Sequence, residues 1–512
     1  MTLKRIRITL ATVMLICITW LFLDFTGTAH HWFGWMPKVQ LLEAVLAVNV
    51  AIIVALVVLT LVFGRIYCSV ICPLGILQDI FGKLGMKAKK NRYSYSKAKT
   101  WLRYGVLVLV VGCWALGVGT VVQLLAPYSA FGRIATSLLQ PLWKMGNNVL
   151  ASIAEHYDSY AFYHVETGVP NMAVVTLIAV VTLVVLVVLA WRNGRTYCNT
   201  ICPVGTALSL LSRFSLLKIR FDESKCKSCS LCTKNCKASC IDYKTHTVDA
   251  SRCVVCGDCL ESCKFGALHY HLSPITHHPS PITHHPSPNT HHPSPNTHHP
   301  SPNTSKDRRS FLLTSALLTT AAMAQEVKKT DGGLAEIQDK VAPERQTPIT
   351  PPGSLSAKNM AQRCTGCQLC VSECPNHVLR PGTDWTSIMQ PTMSYELGYC
   401  RPECNRCSQV CPAGAIKPIA KEDKASTQIG HAVWIKKNCI PLTDGVECGN
   451  CARHCPVGAI EMVPSDPDDE ESASVPAVNE ARCIGCGACE NLCPARPFSA
   501  IYVEGHEVHK EV

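Results

Sequence analysis

Charged residues are scarce in this sequence, and haem-attachment and nucleotide-binding motifs are missing. Asp, Glu, Lys and Arg make up only 17% of the 512 residues, which indicates that part of the chain lies in lipid. No C-x-x-C-H motif is present, so c-type haem is excluded. There is no glycine-rich nucleotide fingerprint either, so a pyridine nucleotide or flavin would have to be bound by another protein. No segment combines aromatic and basic residues in the way that a nucleic-acid-binding surface does, so no nucleic-acid partner is expected.

Cysteine, by contrast, is abundant, with 31 residues in the chain. A small disulfide-stapled secreted scaffold is excluded, because the chain is far too long and its cysteines cluster too tightly. The length suggests roughly three or four domains. The net charge of +11 does not identify a binding partner by itself, because that depends on where the basic residues lie along the chain.

Four apolar stretches in the first part of the chain predict transmembrane helices. They cover residues 8–23, 44–63, 106–125 and 172–191. The last three are each 20 residues long, enough to cross a hydrocarbon core of about 30 Å. The first follows Lys4, Arg5 and Arg7 and has a signal peptide as its alternative. Because only a weak cleavage site follows it, we interpret it as a true span and predict a four-helix transmembrane unit over residues 1–205.

Basic residues between the second and third spans indicate how this unit is oriented. The basic residues of that connection include Arg65, Lys83, Lys87, Lys89, Lys90, Arg92, Lys97 and Lys99. The connections on the other side hold only Lys38, Arg133 and Lys144. Because positive charge stays on the cytoplasmic side of a membrane, we expect both ends of the four-span unit to face the cytoplasm.

One motif, R-x-Y-C-x-x-x-C-P-x-G, occurs twice, just past the second and fourth spans. Its cysteines are Cys68 and Cys72 in the first copy and Cys198 and Cys202 in the second. The repetition makes the membrane unit an internal repeat and places both copies at the cytoplasmic surface. Four thiols gathered there predict an extra metal centre or a redox pair. The alternative is a duplicated structural corner with small buried thiols.

Residues 217–272 carry two cysteine runs with the spacing of bacterial two-cluster ferredoxins. In this pattern each run gives three thiolates to one cluster and its fourth thiolate to the other. We expect one [4Fe-4S] cluster on Cys226, Cys229, Cys232 and Cys263, and its neighbour on Cys236, Cys253, Cys256 and Cys259. Zinc is the alternative, but two identical four-cysteine runs favour clusters. Lys237 and Lys264 replace the usual proline, and we expect their charge to raise the cluster potentials.

A linker and an export signal are predicted next. Residues 273–304 repeat Ser-Pro-Ile/Asn-Thr-His-His-Pro, which has no apolar side to bury and is typical of a disordered segment. Residues 305–324 contain Arg308 and Arg309, a short apolar run and an A-x-A end at Ala324, a pattern typical of a twin-arginine signal. The alternative is a helix with a chance Arg-Arg pair.

Residues 355–505 hold sixteen cysteines in four groups of four. The groups are Cys364, Cys367, Cys370 and Cys374; Cys400, Cys404, Cys407 and Cys411; Cys439, Cys448, Cys451 and Cys455; and Cys483, Cys486, Cys489 and Cys493. They predict four [4Fe-4S] clusters, and about six in the whole chain. We expect the outer groups to pair with each other and the inner groups likewise. Disulfides are the alternative in an exported domain, but the triplet spacing favours clusters.

The part before the linker resembles the NapH-type membrane polyferredoxins, which have four spans, two C-x-x-x-C-P motifs and two cytoplasmic clusters. The part after it resembles the NapG type, an exported iron–sulfur protein with a twin-arginine signal and four clusters. The resemblance implies a pair that passes electrons from membrane quinol to periplasmic nitrate reductase. It also implies that Cys68, Cys72, Cys198 and Cys202 match the membrane motif, while the ferredoxin cysteines carry the relay.

The expected fold is therefore multidomain: a four-helix transmembrane unit, an α+β bacterial-ferredoxin-like two-cluster domain and a second, ferredoxin-like four-cluster domain. We expect an electron-transfer component of the cytoplasmic membrane rather than a substrate-converting enzyme. Its expected partners are membrane lipid, the quinol pool and a redox enzyme such as a periplasmic reductase. Two alternatives stay open: reduction of a metal or thiol during metalloenzyme assembly, and an all-cytoplasmic relay if residues 325–512 stay inside.

Overall fold

The computed structural model describes residues 3–89, 93–159, 161–166, 172–272, 338–384 and 387–511. Both the predicted linker, 273–304, and the predicted signal, 305–324, lie outside these residues. The described parts of 1–275 and 341–512 pack together as one unit. That unit contains a helical region, a first iron–sulfur region over 217–272 and a second one, here called the tail, over 341–511.

Two of the four predicted spans are long, uninterrupted helices. They are Leu3–Leu23 and Ala173–Asn193. Both are long and apolar enough to cross a membrane, and a helix of 20 residues spans about 30 Å. In the described part of the chain, no other helix passes that test.

The two other predicted spans, over 44–63 and 106–125, are each broken into two helices, and their crossing of a membrane stays a prediction. The first is Leu41–Leu46 followed by Val50–Phe63, and the second is Thr100–Ala115 followed by Gly119–Leu125. Val48 has a left-handed φ of 56°, and the Asn49 side chain caps the next helix by accepting a hydrogen bond from the Ile52 N–H. Gly117, with φ 82°, ends the other helix. The apolar composition of these stretches does not predict where the helices break.

The stretch after the second broken helix is helical rather than a loop. Pro127–Ile134 is buried along its whole length and continues through a π-helical turn into Gln140–His156. Arg133 is buried there and donates hydrogen bonds to the carbonyls of Gln123 and Leu124, at 2.7 and 3.2 Å. The remaining helices of this region are Thr28–Phe33, Trp35–Lys38, Tyr67–Val70, Pro73–Lys89, Thr196–Thr200 and Pro203–Ser212.

Both iron–sulfur regions combine short helices with two-stranded antiparallel sheets. In the first region, Leu217–Phe221 pairs with Leu268–Leu272, and Ile241–Asp242 pairs with Thr247–Val248. Its helices are Leu231–Lys234 and Asp258–Ser262. In the tail the pairs are Leu379–Pro381 with Pro391–Met393, Thr427–Trp434 with Ile501–Glu511, and Ile460–Asp466 with Asp469–Val478. The tail helices are Ala357–Arg363, Leu369–Ser372, Arg406–Val410, Lys421–Ser426, Lys436–Asn438 (3-10), Ile440–Thr443, Asn450–Arg453 and Ala488–Leu492.

These two regions contact opposite ends of the same helices. At the start of Leu3–Leu23, the Lys4 ammonium lies 3.1 Å from the Asp258 carboxylate of the first region. Just past its other end, the Thr26 carbonyl accepts a hydrogen bond from tail Arg406 at 3.1 Å. In Thr100–Ala115, Arg103 bonds Ser251 of the first region at 3.3 Å, while the Trp114 indole N–H bonds the tail. The helical region therefore separates the two by about 30 Å of helix.

Candidate metal centres

The first iron–sulfur region gathers its cysteines in the two sets that the spacing predicts. Cys226, Cys229, Cys232 and Cys263 line one cavity. In the other set, the thiol of Cys259 lies close enough to those of Cys256, Cys253 and Cys236 to interact with them electrostatically. The occupation of either set by a cluster stays a prediction.

Cys240, to which the sequence assigned no role, lies against the second of these sets. It is buried, and its sulfur is 3.6 Å from that of Cys236. Hydrogen bonding from the Cys240 thiol lowers the pKa of Cys236 to about 7. It also lowers the pKa of Cys253. A lowered pKa favours the thiolate, which is the form that binds iron. The single Cys240 S–H can donate to one of these two sulfurs at a time, so the extra cysteine supports either ligand position.

In the tail, the expected pairing of outer with outer and inner with inner groups is wrong. Three cavities show the grouping. They are lined by Cys364, Cys367, Cys370 and Cys411; by Cys374, Cys400, Cys404 and Cys407; and by Cys439, Cys448, Cys451 and Cys493. In the fourth set Cys455 interacts electrostatically with Cys483 and Cys486, and these two interact with Cys489. Each group therefore exchanges its last cysteine with its neighbour along the chain, as in the first region.

The four tail sets follow one another away from the helical region. The Cys364 set lies against the helical region, where the carbonyl of Cys367 touches Gly132 of helix Pro127–Ile134, and the Cys400 set contacts it too, through Arg406. The Cys400 set comes next, and its Cys400 N–H donates a hydrogen bond to the Cys486 carbonyl at 2.9 Å. The Cys483 set follows, and Cys489 is close enough to interact with Cys451 of the last set. The tail therefore holds a line of four thiol sets.

This donor chemistry fits iron–sulfur clusters. Four cysteine thiolates are the ligand set of a [4Fe-4S] cluster, with one sulfur at each corner of the cube. Within the described residues, no three His, Cys, Asp or Glu side chains converge closely enough to hold a single metal ion. The repeated ferredoxin spacing of these cysteines is what favours clusters over zinc.

The repeated R-x-Y-C-x-x-x-C-P-x-G motif braces its two copies against each other. Arg65 of the first copy donates a hydrogen bond to the Cys198 carbonyl of the second at 3.0 Å. Arg195 of the second copy donates to the Cys68 carbonyl of the first. The exchange has an approximate two-fold symmetry, and it explains why each copy needs an arginine three residues before its first cysteine.

The tyrosines and glycines of the motif have equally specific positions. The Tyr67 hydroxyl donates to the Gln40 side chain at 2.9 Å, and that of Tyr197 donates to the Leu125 carbonyl at 3.0 Å. A Cβ on Gly75 or Gly205 would clash with the carbonyl of the first cysteine in the same copy. Each copy therefore folds its two cysteines inward around a tight backbone contact.

The four motif thiols meet inside the protein rather than at its surface. Each of Cys68, Cys72, Cys198 and Cys202 is only 3% exposed, and the other three interact electrostatically with Cys72. The Gln78 amide lies 3.2 Å from the Cys198 sulfur. The predicted gathering of four thiols is present, and its expected place at the cytoplasmic face of the membrane stays a prediction. Sequence position past a span does not reveal that the Pro73–Lys89 and Pro203–Ser212 helices cover them.

Asp79 joins the thiol site to the first iron–sulfur region. Its carboxylate lies 2.6 Å from Arg195, 2.7 Å from Lys237 and 3.4 Å from Arg7. Burial alone would raise the pKa of Asp79, but Arg195 and Lys237 hold it well below its usual range. Sequence analysis missed this residue, although Lys237, which replaces the usual proline, was a signal that the first region differs there.

Family models match most of the cysteine-bearing segments. A 4Fe-4S binding domain matches residues 45–92 and 173–222, which include both copies of the repeated motif. A 4Fe-4S dicluster domain matches 363–425 and 446–496 in the tail, and a further one matches 249–378. Together with the four-thiol sets, these matches define an iron–sulfur protein of the ferredoxin class with several 4Fe-4S clusters.

Known proteins with similar sequences include ferredoxin-type and electron-transport proteins. The ferredoxin-type protein MauM of methylamine utilization in Methylobacillus flagellatus is 30% identical over 167 residues, 31% of this chain and 70% of MauM. The ferredoxin-type protein NapF of Escherichia coli is 29% identical over 161 residues, 31% of this chain and 87% of NapF. The Escherichia coli protein YccM, named for electron transport, is 26% identical over 217 residues, 40% of this chain and 53% of YccM. The chain thus spans about half the length of YccM.

The chain belongs to the ferredoxin-type iron–sulfur electron-transfer proteins. Membership of the NapH and NapG types in particular stays a prediction.

Proposed function

We propose that this chain is a membrane-bound relay that takes electrons from the quinol pool and delivers them, through its 4Fe-4S clusters, to a periplasmic redox enzyme. The observation that carries the proposal is the contact of two iron–sulfur regions with opposite ends of one helix of membrane-crossing length, Leu3–Leu23. Such a helix spans a hydrocarbon core. This arrangement favours a cross-membrane relay over one with every cluster on the cytoplasmic side.

The basic residues of the chain support an orientation for that relay. The end of the helical region that contacts the first iron–sulfur region also carries the basic connection of 65–99. Positive charge stays on the cytoplasmic side. We therefore place the first iron–sulfur region in the cytoplasm and the tail in the periplasm, which agrees with a twin-arginine signal before the tail.

A cavity of about 630 Å³ lies where the helical region meets the first iron–sulfur region. Its wall is mostly apolar and includes Phe63, Leu217 and Leu260, while Cys256 of the second thiol set also lines it. Cavities of this size and character bind drug-sized organic molecules. We assign it to the ring of a quinol, whose apolar tail would stay in the lipid.

Polar side chains at the same cavity suit quinol oxidation. Oxidation of a quinol to a quinone releases two electrons and two protons. The Glu261 carboxylate lines the cavity and is 43% exposed, so it connects the site to water and is placed to accept a proton. Lys4 lies 2.8 Å from Glu261 and orients that carboxylate at the rim of the cavity. A bound cluster supplies one-electron redox chemistry beside the cavity.

Reduction of the full-length protein in lipid nanodiscs by a short-chain quinol tests this proposal. Loss of the visible absorbance of the oxidised clusters reports electron entry. Leu217→Trp would fill the cavity, and we expect at least about a tenfold slower quinol-driven reduction, equivalent to about 1.4 kcal/mol. Dithionite should still reduce the variant fully.

Leu272→Trp is the matched control, because Leu272 lies directly opposite Leu217 in the same strand pair but is 73% exposed. It should behave as the wild type. If dithionite reduces the clusters of the wild type and the quinol reduces none, the proposed function is wrong. Equal effects of Leu217→Trp and Leu272→Trp would show that the quinol does not bind in this cavity.

A further inference from the structure

We propose that Cys68, Cys72, Cys198 and Cys202 hold an additional iron–sulfur centre, which carries electrons through the helical region from the first iron–sulfur region to the tail. The role in the relay rests on the proposed function, whereas the presence of iron at the four thiols does not. All four are only 3% exposed and lie together. Four cysteine thiolates are the ligand set of both [2Fe-2S] and [4Fe-4S] centres.

Buried positive charge beside the thiols calls for an anionic group. Arg65 is 0% exposed, and it forms no salt bridge to any described carboxylate. Arg65 instead reaches to within 3.8 Å of the Cys68 sulfur. Burying an unpaired guanidinium is costly. Four neutral thiols would leave that cost in place, whereas an iron–sulfur centre bound by four thiolates is an anion and removes it.

Two orphaned donors point to the same conclusion. Nε of Arg65 and Nη2 of Arg195 are buried without a hydrogen-bond partner. Buried guanidinium groups are almost always fully paired, so these two N–H groups are expected to have an acceptor. Both arginines belong to the motif that brings the thiols together. The sulfur atoms of a bound centre would be acceptors at this place.

The thiol site also lies on a chain of contacts between the two iron–sulfur regions. On one side, Arg65 donates to the carbonyl of Ser251, two residues before Cys253, at 3.0 Å. On the other side, Tyr197, next to Cys198, bonds the end of helix Gly119–Leu125. From that helix the Gln123 amide donates to the carbonyl of tail Cys364 at 3.3 Å. A centre here would bridge the gap between the Cys253 set and the Cys364 set.

A dithiol–disulfide pair fits this position less well. Disulfide formation removes two electrons together and releases the thiol protons, whereas the clusters on either side exchange single electrons. The proposed centre accepts one electron from the first region and passes one to the tail. No bond to a substrate forms, and no proton moves.

Metal content of the full-length protein tests the site directly. We would prepare the fourfold variant Cys68→Ser, Cys72→Ser, Cys198→Ser and Cys202→Ser anaerobically and measure iron and acid-labile sulfide per chain. We expect it to lose two or four irons and the matching sulfide, according to the type of centre. Electron paramagnetic resonance should lose one signal and keep those of the ferredoxin clusters. Cys17→Ser with Cys113→Ser, two cysteines outside every set, is the control and should lose no iron.

A second variant keeps the test decisive if the fourfold change disturbs folding. Arg65→Gln leaves all cysteines in place but removes the buried charge. Potentiometric titration should then show two lowered potentials, one for this centre and one for the cluster of the Cys253 set, which Arg65 also faces, because a cation favours the reduced, more negative state of a centre. Unchanged iron content in a folded fourfold variant would overturn the proposal, and so would a single shifted signal, or none, in Arg65→Gln.

Kinetics separate this proposal from the proposed function. In the fourfold variant, quinol should still reduce the first iron–sulfur region, while the tail clusters should be reduced at least about tenfold more slowly. A different outcome is that the quinol reduces nothing in the wild type while the fourfold variant still loses iron. In that case the iron–sulfur centre at the four thiols is supported, and the quinol is rejected as the electron donor.

Discussion

The two iron–sulfur regions dock on the helical region by different physical means. The first uses ion pairs: Lys4 with Asp258 at 3.1 Å, and Lys237 with Asp79 at 2.7 Å. The tail relies more on its backbone, and its carbonyls lie against a helix face or accept hydrogen bonds from it, although Glu373 also lies 3.6 Å from His30. The first region adds a backbone contact of its own, between the Lys237 carbonyl and Gly194. The Trp114 indole, for example, donates to a tail carbonyl at 3.1 Å.

We call the ion-paired contact of the first region electrostatic docking, and the close backbone contact of the tail docking by shape. A desolvated ion pair fails when one charge is removed, because the other is left buried and unpaired. A close backbone contact fails when a side chain intrudes on it. Changes in charge should therefore act first on the first iron–sulfur region, and changes in side-chain volume on the tail.

The largest effect is expected from Asp79→Asn. The change leaves the buried cations Arg195 and Lys237 without their shared carboxylate, and breaking a buried pair costs about 3–5 kcal/mol. We expect a large drop in the unfolding temperature of the first iron–sulfur region, followed through its visible cluster absorbance. Asp222→Asn, which removes a surface pair with Lys225 but keeps an oxygen to accept from the Ser224 N–H, should have a much smaller effect. Equal behaviour of the two variants would contradict electrostatic docking.

The sequence predicts the chemistry of the sites better than their surroundings. The spacing of Cys226 and its partners predicts which thiols meet, because one tight loop places three of them. In the tail neighbouring groups pair in the same way, whereas the prediction paired the first group with the last across the domain. The inward folding of the repeated motif was also not predictable, since burial depends on helices that follow the motif.

The breaks in the second and third predicted spans show a different limit of prediction from sequence. Apolar composition predicts helix through Val48, but the left-handed backbone there is a local conformational choice that hydropathy does not record. Gly117 was the more visible signal, because glycine commonly ends a helix. Asp79 was unpredictable for a further reason: its partners lie far away in the sequence. The expected effect of Lys237 on cluster potentials stays a prediction, and its charge is now seen to be met by Asp79 and Asp258.

A smaller effect is expected in the tail as the pH falls. His509 accepts or donates a hydrogen bond with the Thr350 hydroxyl at 2.9 Å, and burial lowers its pKa to about 4. An unfolded histidine has a pKa of about 6.5. Between these values the unfolded chain binds a proton that the folded one does not. Stability is therefore full above pH 6.5 and falls by at most about 3 kcal/mol as the pH approaches 4.

Urea unfolding of the full chain at pH 7 and pH 5 measures this dependence. His509→Gln should reduce the difference between the two pH values for the tail, whereas the exposed His271→Gln should leave it unchanged. Asp79 behaves differently: its lowered pKa keeps it charged over this range, and its contribution is lost only as the pH falls below about 4. Acidification to pH 5 should therefore loosen the tail before the first region.

The smallest effect is expected from adding one methyl group at Gly132. A Cβ there would clash with the carbonyl of tail Cys367 and lie 2.9 Å from the Phe22 ring, and overpacking of this kind costs about 1–3 kcal/mol. Gly146, also within a helix, has no atom within 4 Å of the corresponding position. Gly132→Ala should therefore weaken tail docking and slow quinol-driven reduction of the tail clusters, while Gly146→Ala should not. Because alanine favours both helices equally, any difference between the two variants reports the contact with the tail. Slower reduction of the first iron–sulfur region instead would show that docking by shape is not confined to the tail.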